Sequence, residues 1–295
     1  MRVTFQAAYG GAEYAEIAAS QVARARQQVM SGKRLQKASD DPGAMQRSVE
    51  GRGEIRAIET YQRTADTATA RLALLDSTLA GVVETLQQAK VTTASARNST
   101  ATTLQRETAA QTLEGVRDAL AAQLNTSSRG VYLFGGSQTT APPFVRVAGT
   151  WTYQGDASPQ QVDVAPGQAV AFSRDGQALA QGTQATNILN DLDALVAAVR
   201  TGNQAGMTTG MTSLDRAFER ASREQIDVGA DQEAIAELEG QLTLSRLAAV
   251  TRVSKDEDAD LTAAISELTR ADTAYRAALG AIGRASRNSL MDYLR

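Results

Sequence analysis

Cysteine and histidine are both absent from the 295 residues. The first absence excludes disulfides, thiolate nucleophiles and cysteine-based zinc sites. The second removes the commonest general acid–base group near neutral pH. Aromatic residues are scarce, at 4%, so few large anchors are available for a compact globular core. Alanine, leucine, glutamine, threonine and arginine take their place, a composition that favours long helices packed side by side. No apolar run reaches the roughly 18 residues of a membrane span, and the first thirty residues carry no apolar signal-peptide segment. Neither membrane insertion nor signal-peptide export is expected, and a chain acting outside the cell would leave by another route.

Charge excludes a further class. With 30 basic and 33 acidic residues the formal net charge is −3, whereas a nucleic-acid binder is expected to show a basic excess or stripe. Arg24, Arg26, Lys33, Arg34 and Lys37 follow one another without an intervening acid. That run is short and broken by apolar positions, and it reads as a helix end turned to solvent or to a protein partner.

What the sequence does contain is helical periodicity. Ala15, Ala18, Val22, Ala25 and Val29 follow a three-four spacing, one weak stripe that Ser31-Gly32 would end. Asp41-Pro42 reads as an N-cap followed by proline at the first helical position. Beyond it, Ile58, Ala65, Leu72, Leu79 and Leu86 recur every seven residues, each with an apolar partner three places later (Tyr61, Ala68, Leu75, Val82, Ala89), which is a sustained heptad seam. Another helix is predicted over 105–125, with Leu113, Val116, Leu120 and Leu124 on one face. Between 130 and 184 the texture changes. Trp151, four of the five prolines, the alternating runs Phe144-Val145-Arg146-Val147 and Gln161-Val162-Asp163-Val164, and glycine-bearing turns predict a small β-rich insert. Helical spacing returns at Ile188 and continues through Leu192, Leu195, Val199, Met211, Leu214, Phe218, Ala221, Ile235, Leu238 and Leu242. A last helix over 260–294 carries Leu261, Ile265, Leu268, Tyr275, Leu279 and Ile282. It starts acidic and ends basic, as the helix dipole favours.

The predicted fold is therefore mainly α: a long antiparallel helical bundle or coiled coil built from both chain ends, with a small β-rich insert in the middle. Three parts are expected, 1–50 with 255–295, 51–130 with 187–254, and the insert 131–186. The terminal stripes are weak against an ordering entropy of about 1–2 kcal/mol per residue, so packing against neighbouring subunits is expected to order them.

No catalytic, metal or cofactor site emerges. Asp256, Asp258, Asp260 and Glu267 have the spacing of a calcium loop, but Leu261 stands where that loop requires glycine. Ser31-Gly32-Lys33-Arg34 lacks the upstream glycine and downstream hydroxyl of a phosphate loop. No constellation joins a nucleophile, a base and an oxyanion donor, so no enzyme is expected.

Several segments nonetheless resemble a known family. Met1-Arg2-Val3-Thr4, Ser31-Gly32-Lys33-Arg34-Leu35 and Ser39-Asp40-Asp41-Pro42 are similar to the N-terminal signature of flagellins and their relatives. Asn125-Thr126, Tyr132-Leu133-Phe134-Gly135-Gly136-Ser137, Pro143-Phe144 and the ending Ser289-Leu290-Met291-Asp292-Tyr293-Leu294 resemble the hook-associated members of this flagellin-like family more than filament flagellin. Asp231 departs from the pattern, standing after Gly229-Ala230 where the family often has arginine. The resemblance implies a structural subunit exported unfolded through the flagellar type III apparatus, cytoplasmic before export and extracellular at the hook–filament junction afterwards. It implies a ring of identical copies set between the preceding hook-associated protein and flagellin, polymerised through the terminal helices, with an export chaperone on the C-terminal helix. Two alternatives stay open: flagellin itself, and an intracellular coiled-coil adaptor.

Overall fold

Asp41 opens the longest helix. Its carboxylate accepts the Ala44 N–H at 3.0 Å, Pro42 takes the first helical position, where a missing N–H costs nothing, and α2 runs Pro42–Ala96. The computed structural model describes residues 2–98 and 100–293, and the side chains of 13–98 and 100–284. Around α2 the chain order is α1 (Arg2–Ser31), then α3 (Thr103–Leu124), three β-hairpins, the short α4 (Gly176–Ala180), α5 (Ile188–Thr201), α6 (Gln204–Glu257) and α7 (Leu261–Tyr293). The hairpins pair β1 (Ser127–Ser128) with β2 (Val131–Tyr132), β3 (Phe144–Val147) with β4 (Thr150–Tyr153), and β5 (Gln161–Ala165) with β6 (Gln168–Ala171), all antiparallel. The fold is mainly α, with long packed helices from both chain ends and a small antiparallel-strand region between them. Among the described residues, no helix is long and apolar enough to cross a membrane.

Two compact units share these elements. One takes the chain ends, up to Ile58 and from Leu244; the other is Glu59–Thr243, and α2 and α6 contribute to both. In the chain-end unit α1 packs against α7.

In the second unit the heptad seam is the core. Ala65, Leu72, Leu75, Leu79 and Ala89 are fully buried. α6 supplies buried Leu214, Ala217, Ala221, Val228, Ile235, Leu238 and Leu242. The polar ties along the seam show the direction: Gln62 reaches Thr243, Thr69 reaches Glu239, Asp76 accepts from Gln225, and Lys90 pairs with Asp215. As the position rises along α2 it falls along α6, so the helices are antiparallel. The apolar stripes predicted over Met211–Ala221 and Ile235–Leu242 lie on this one continuous helix, with nothing at Gly229 to stop it.

α3 and α5 form the other helical pair, burying Leu113, Leu120 and Leu124 with Leu189, Leu192 and Leu195. Thr102 and Gln105 close a reciprocal capping box, Gln105 N–H to the Thr102 hydroxyl at 3.2 Å and Thr102 N–H to the Gln105 side chain at 2.8 Å. The helix thus starts at Thr103, ahead of the apolar spacing that marks it in the sequence. Gly202, at φ +67°, ends α5.

Candidate assembly site

The chain-end unit is held by a joint between two links, one after α1 and one before α7. Gly32 ends α1 at φ +66°, a conformation glycine adopts without a Cβ penalty. Its carbonyl then accepts the Ala259 N–H at 2.9 Å, while the Arg34 and Leu35 N–H groups donate to the Glu257 carbonyl at 2.7 and 3.3 Å. Lys33 and Asp258 form an antiparallel bridge, and Leu35 is buried beneath the link.

At the centre of the joint lies the Glu257 carboxylate, 3% exposed. Lys33 Nζ and Arg52 Nη2 each donate to it at 2.5 Å, and the buried Ser48 hydroxyl donates to its other oxygen. Burial by itself would raise the pKa of this group. The hydrogen bonds from Arg52, Lys33 and Ser48 and the Lys33 charge outweigh it, holding the pKa down at about 2. Ser48 and Arg52 stand four apart on α2, one helical turn, so both face the same point.

The acids beside Glu257 have their own protein partners. Asp256 accepts from Arg47 at 2.7 Å, Asp258 accepts the Ser254 hydroxyl at 2.5 Å, and Asp260 caps α7 through the Thr262 and Ala263 N–H groups. The calcium-like spacing is thus a set of ion pairs and caps. In the facing motif, Asp40 accepts the Gln36 and Lys37 N–H groups, which lower its pKa, and Asp41 is lowered mainly by the Ala44 N–H it caps. Ser39 is exposed.

The stripes of the terminal helices pack on small residues. Ala18, Val22 and Ala25 of α1 and Ala264 and Ala271 of α7 are buried, with Ala15, Val29, Leu268, Tyr275 and Ile282 half-buried. Leu261, Ile265 and Leu279 of the α7 stripe are 52%, 53% and 47% exposed in the single chain. The inner face of α7 instead carries Ala264, Leu268, Ala271, Tyr275 and Ile282, and the two alanines, the most buried of these, let the paired helices approach closely. Tyr14 and Ile17 of α1 and Leu244 and Leu247 of α6 are exposed as well. Ile58, Leu72, Leu79 and Leu86 are all buried. Met1-Arg2-Val3-Thr4 and the ending from Ser289 lie outside the residues whose side chains are described.

In the second unit the Phe134-Gly135-Gly136 motif anchors the insert. Phe134 and Phe144 are fully buried. Asn125 ends α3 and clasps Phe144 with both halves of its amide, accepting the Phe144 N–H at 2.9 Å and donating to the Phe144 carbonyl at 2.8 Å. Gly135 and Gly136 do not close a hairpin between neighbouring strands. They pair with the distant 174–176 segment: Gly136 N–H donates to the Arg174 carbonyl, Arg174 N–H to Leu133, and Gly176 N–H to Phe134. The reason is space, because a Cβ on Gly136 (φ +63°) would run into the Asp156 backbone. The single Tyr153 hydroxyl proton is shared between the Phe134 and Asp156 carbonyls, 3.1 and 3.0 Å away, and burial pushes the phenol pKa up. Asp231, where the family often has arginine, accepts from Arg174 at 2.5 Å.

The Glu257 joint escaped the sequence reading. Lys33 stands out in the sequence only within the basic run and the Ser31-Gly32-Lys33-Arg34 motif, and Ser48, Arg52 and Glu257 are brought together by the register of α2 against α6. A buried carboxylate must be paired and hydrogen-bonded, but nothing in the sequence says which of 30 basic residues will arrive.

Residues 4–139 match the bacterial flagellin N-terminal helical region. Among individual proteins the chain is similar to flagellar hook-associated protein 3: 28% identical over 204 residues to that of Escherichia coli, covering 64% of each chain. It is 32% identical over 140 residues to the Salmonella typhimurium protein, covering 47% of this chain and 44% of the relative. The match thus spans less than two thirds of the length of either relative. A solved structure described as a flagellar hook-associated protein from Vibrio parahaemolyticus superposes with a TM-score of 0.71 at 21% identity, covering 74% of this chain and all of the other. That likeness bears on the fold.

Proposed function

We propose that this chain is a structural subunit of the bacterial flagellum that joins the hook, through the preceding hook-associated protein, to the flagellin filament. The observation that carries the reading is a terminal helix pair that buries alanines and turns Leu261, Ile265 and Leu279 outward, in a chain similar to hook-associated protein 3. Exposed apolar faces of this kind mark contact surfaces, and identical copies arranged in a ring would cover them.

The rest of the reading follows the family. Residues 1–50 and 255–295 form the inner domain and polymerise; 51–130 with 187–254 form the next domain; 131–186 form the outer insert. The chain is exported unfolded by the flagellar type III apparatus, with a chaperone on 255–295 in the cytoplasm, and acts outside the cell at the hook tip. It is not an enzyme: the charged groups described above are spent on ion pairs and helix caps. The match of 4–139 to the flagellin N-terminal region favours flagellin itself as the second reading.

Deleting the gene in the bacterium that carries it tests both. Bare hooks in electron micrographs, with flagellin shed into the medium, are the expected result. Loss of filaments with no flagellin anywhere would make this chain the flagellin, and normal filaments would overturn the flagellar reading.

A further inference from the structure

The two compact units carry opposite charge. The chain-end unit holds 17 basic and 13 acidic residues, a net +4. The unit Glu59–Thr243 holds the other 13 basic and 20 acidic residues, a net −7, and together they make the −3 of the whole chain. At the joint of the chain-end unit the sorting is finer. Lys33, Arg47 and Arg52 are about half exposed, whereas the carboxylates they pair with, Glu257 and Asp256, lie largely covered. Arg24 and Lys37, whose charges both act on Asp40, are exposed as well. The joint thus turns cations outward and its central acids inward.

In the second unit the outer face of α6 is the opposite kind of surface. Ile226, Gly229, Glu233, Glu237 and Gly240 follow a three-four spacing, so they form one stripe along the helix, and all are exposed. Among the described residues Glu233 has no ion pair, and Glu237 accepts only from the Gln241 amide. A Cβ on Gly229 or Gly240 would meet nothing within 4 Å, yet glycine inside a helix is less stable than alanine. Packing within the unit therefore gives no reason for glycine at either position. The room the two leave suits side chains that approach the helix from outside.

We infer that this stripe of α6 docks the cationic joint of a second copy of the chain, whose lysine and arginine side chains cross the glycines to reach Glu233 and Glu237. A second copy is the occupant because the chain carries both halves of the contact, on units of opposite sign, while two like faces would repel. A contact between unlike faces of identical copies is heterologous, the kind that closes into rings or continues as a helix. The inference rests on the reading of the chain as a repeating subunit.

The chain has no cysteine, so introduced thiols report on chosen positions alone. The full-length gene with Lys37→Cys and Glu237→Cys replaces the wild type in the bacterium, and purified flagella are oxidised. The expected result is a ladder of linked multimers on a non-reducing gel, where either single variant gives dimers at most. Linkage confined to monomers, or none, would overturn the proposal. Charge reversal is the second arm. Glu233→Lys with Glu237→Lys, and separately Arg24→Glu with Lys37→Glu, should each leave the melting temperature of the purified chain unchanged and raise shed flagellin severalfold. All four substitutions together should bring shedding back towards wild type. A combined variant no better than either pair would overturn the second copy in favour of a different charged partner. Unchanged shedding in both pairs would overturn the contact, and earlier melting would place these charges within the fold instead. Failure of the wild-type gene itself to restore filaments in the deletion strain is the failure of the junction reading, and shows with every charge intact.

Discussion

Arg52 and Glu257 are 205 positions apart in the chain, and Arg52 Nη2 lies 2.5 Å from the Glu257 carboxylate. With Lys33 and Ser48 the pair fixes the link after α1 to the end of α6, and through it sets where α1 and α7 begin to pack. The cations are half exposed while the carboxylate is buried, so the strength of the joint resides in the acid.

Glu257→Gln should therefore destabilise the chain-end unit more than loss of any one donor. Removing the charge while leaving Ser48 buried is expected to cost about 1–3 kcal/mol, whereas Arg52→Ala, whose side chain is 56% exposed, should cost less. Denaturant unfolding of the full chain measures both. Equal losses would show that the three donors act independently of the buried acid.

The same group sets a pH dependence. Its folded pKa of about 2 lies below the ordinary 4.5, so the fold binds the ionised form more tightly. Its contribution is complete above pH 4.5 and fades as pH falls towards about 2. Stability measured from pH 5 down to pH 2 should fall more steeply in wild type than in Glu257→Gln. Parallel curves would assign the acid sensitivity to other carboxylates.

Ile265 and Ala264 are adjacent in sequence and opposite in role. Ile265→Ser should leave monomer stability within about 0.5 kcal/mol, as surface changes usually do, yet weaken assembly. Ala264→Leu should destabilise the monomer by about 1–3 kcal/mol through overpacking against α1. Thermal melting and filament retention, read together, separate the two. A clear loss of stability in Ile265→Ser would show that the residue packs within its own chain.

Gly136→Ala combines a left-handed backbone with a collision against Asp156, and should cost about 1–3 kcal/mol. Gly149→Ala, also at positive φ (+88°) but in open space, isolates the backbone cost and should be milder. Comparable melting temperatures for the two variants would remove steric crowding as the reason for glycine at 136.

Asn125→Ala should cost about 1–3 kcal/mol, because both backbone groups of buried Phe144 lose their partner. Asn125→Asp keeps the acceptor for the Phe144 N–H and loses the donor to its carbonyl. Urea unfolding of both variants should rank alanine below aspartate, and the reverse order would point to charge repulsion at the carbonyl.

The sequence by itself determined the class of structure. Heptad spacing from Ile58 to Leu86 places a buried seam wherever the partner lies, because a helix repeats its faces every 3.6 residues whatever it touches. Asp41-Pro42 and Ser31-Gly32 mark helix ends for equally local reasons, a side-chain cap and a left-handed glycine. The tertiary structure alone decided which charges meet and which faces close. Lys33, Ser48, Arg52 and Glu257 converge through the register of distant helices, and no local rule encodes that register. The same holds for α7, where Leu261 and Ala264 both fit a helical stripe. Only the approach of α1 puts Ala264 inside and leaves Leu261 outside, because which of two apolar faces closes is settled by the fit at the contact and not by the hydrophobicity of the stripe.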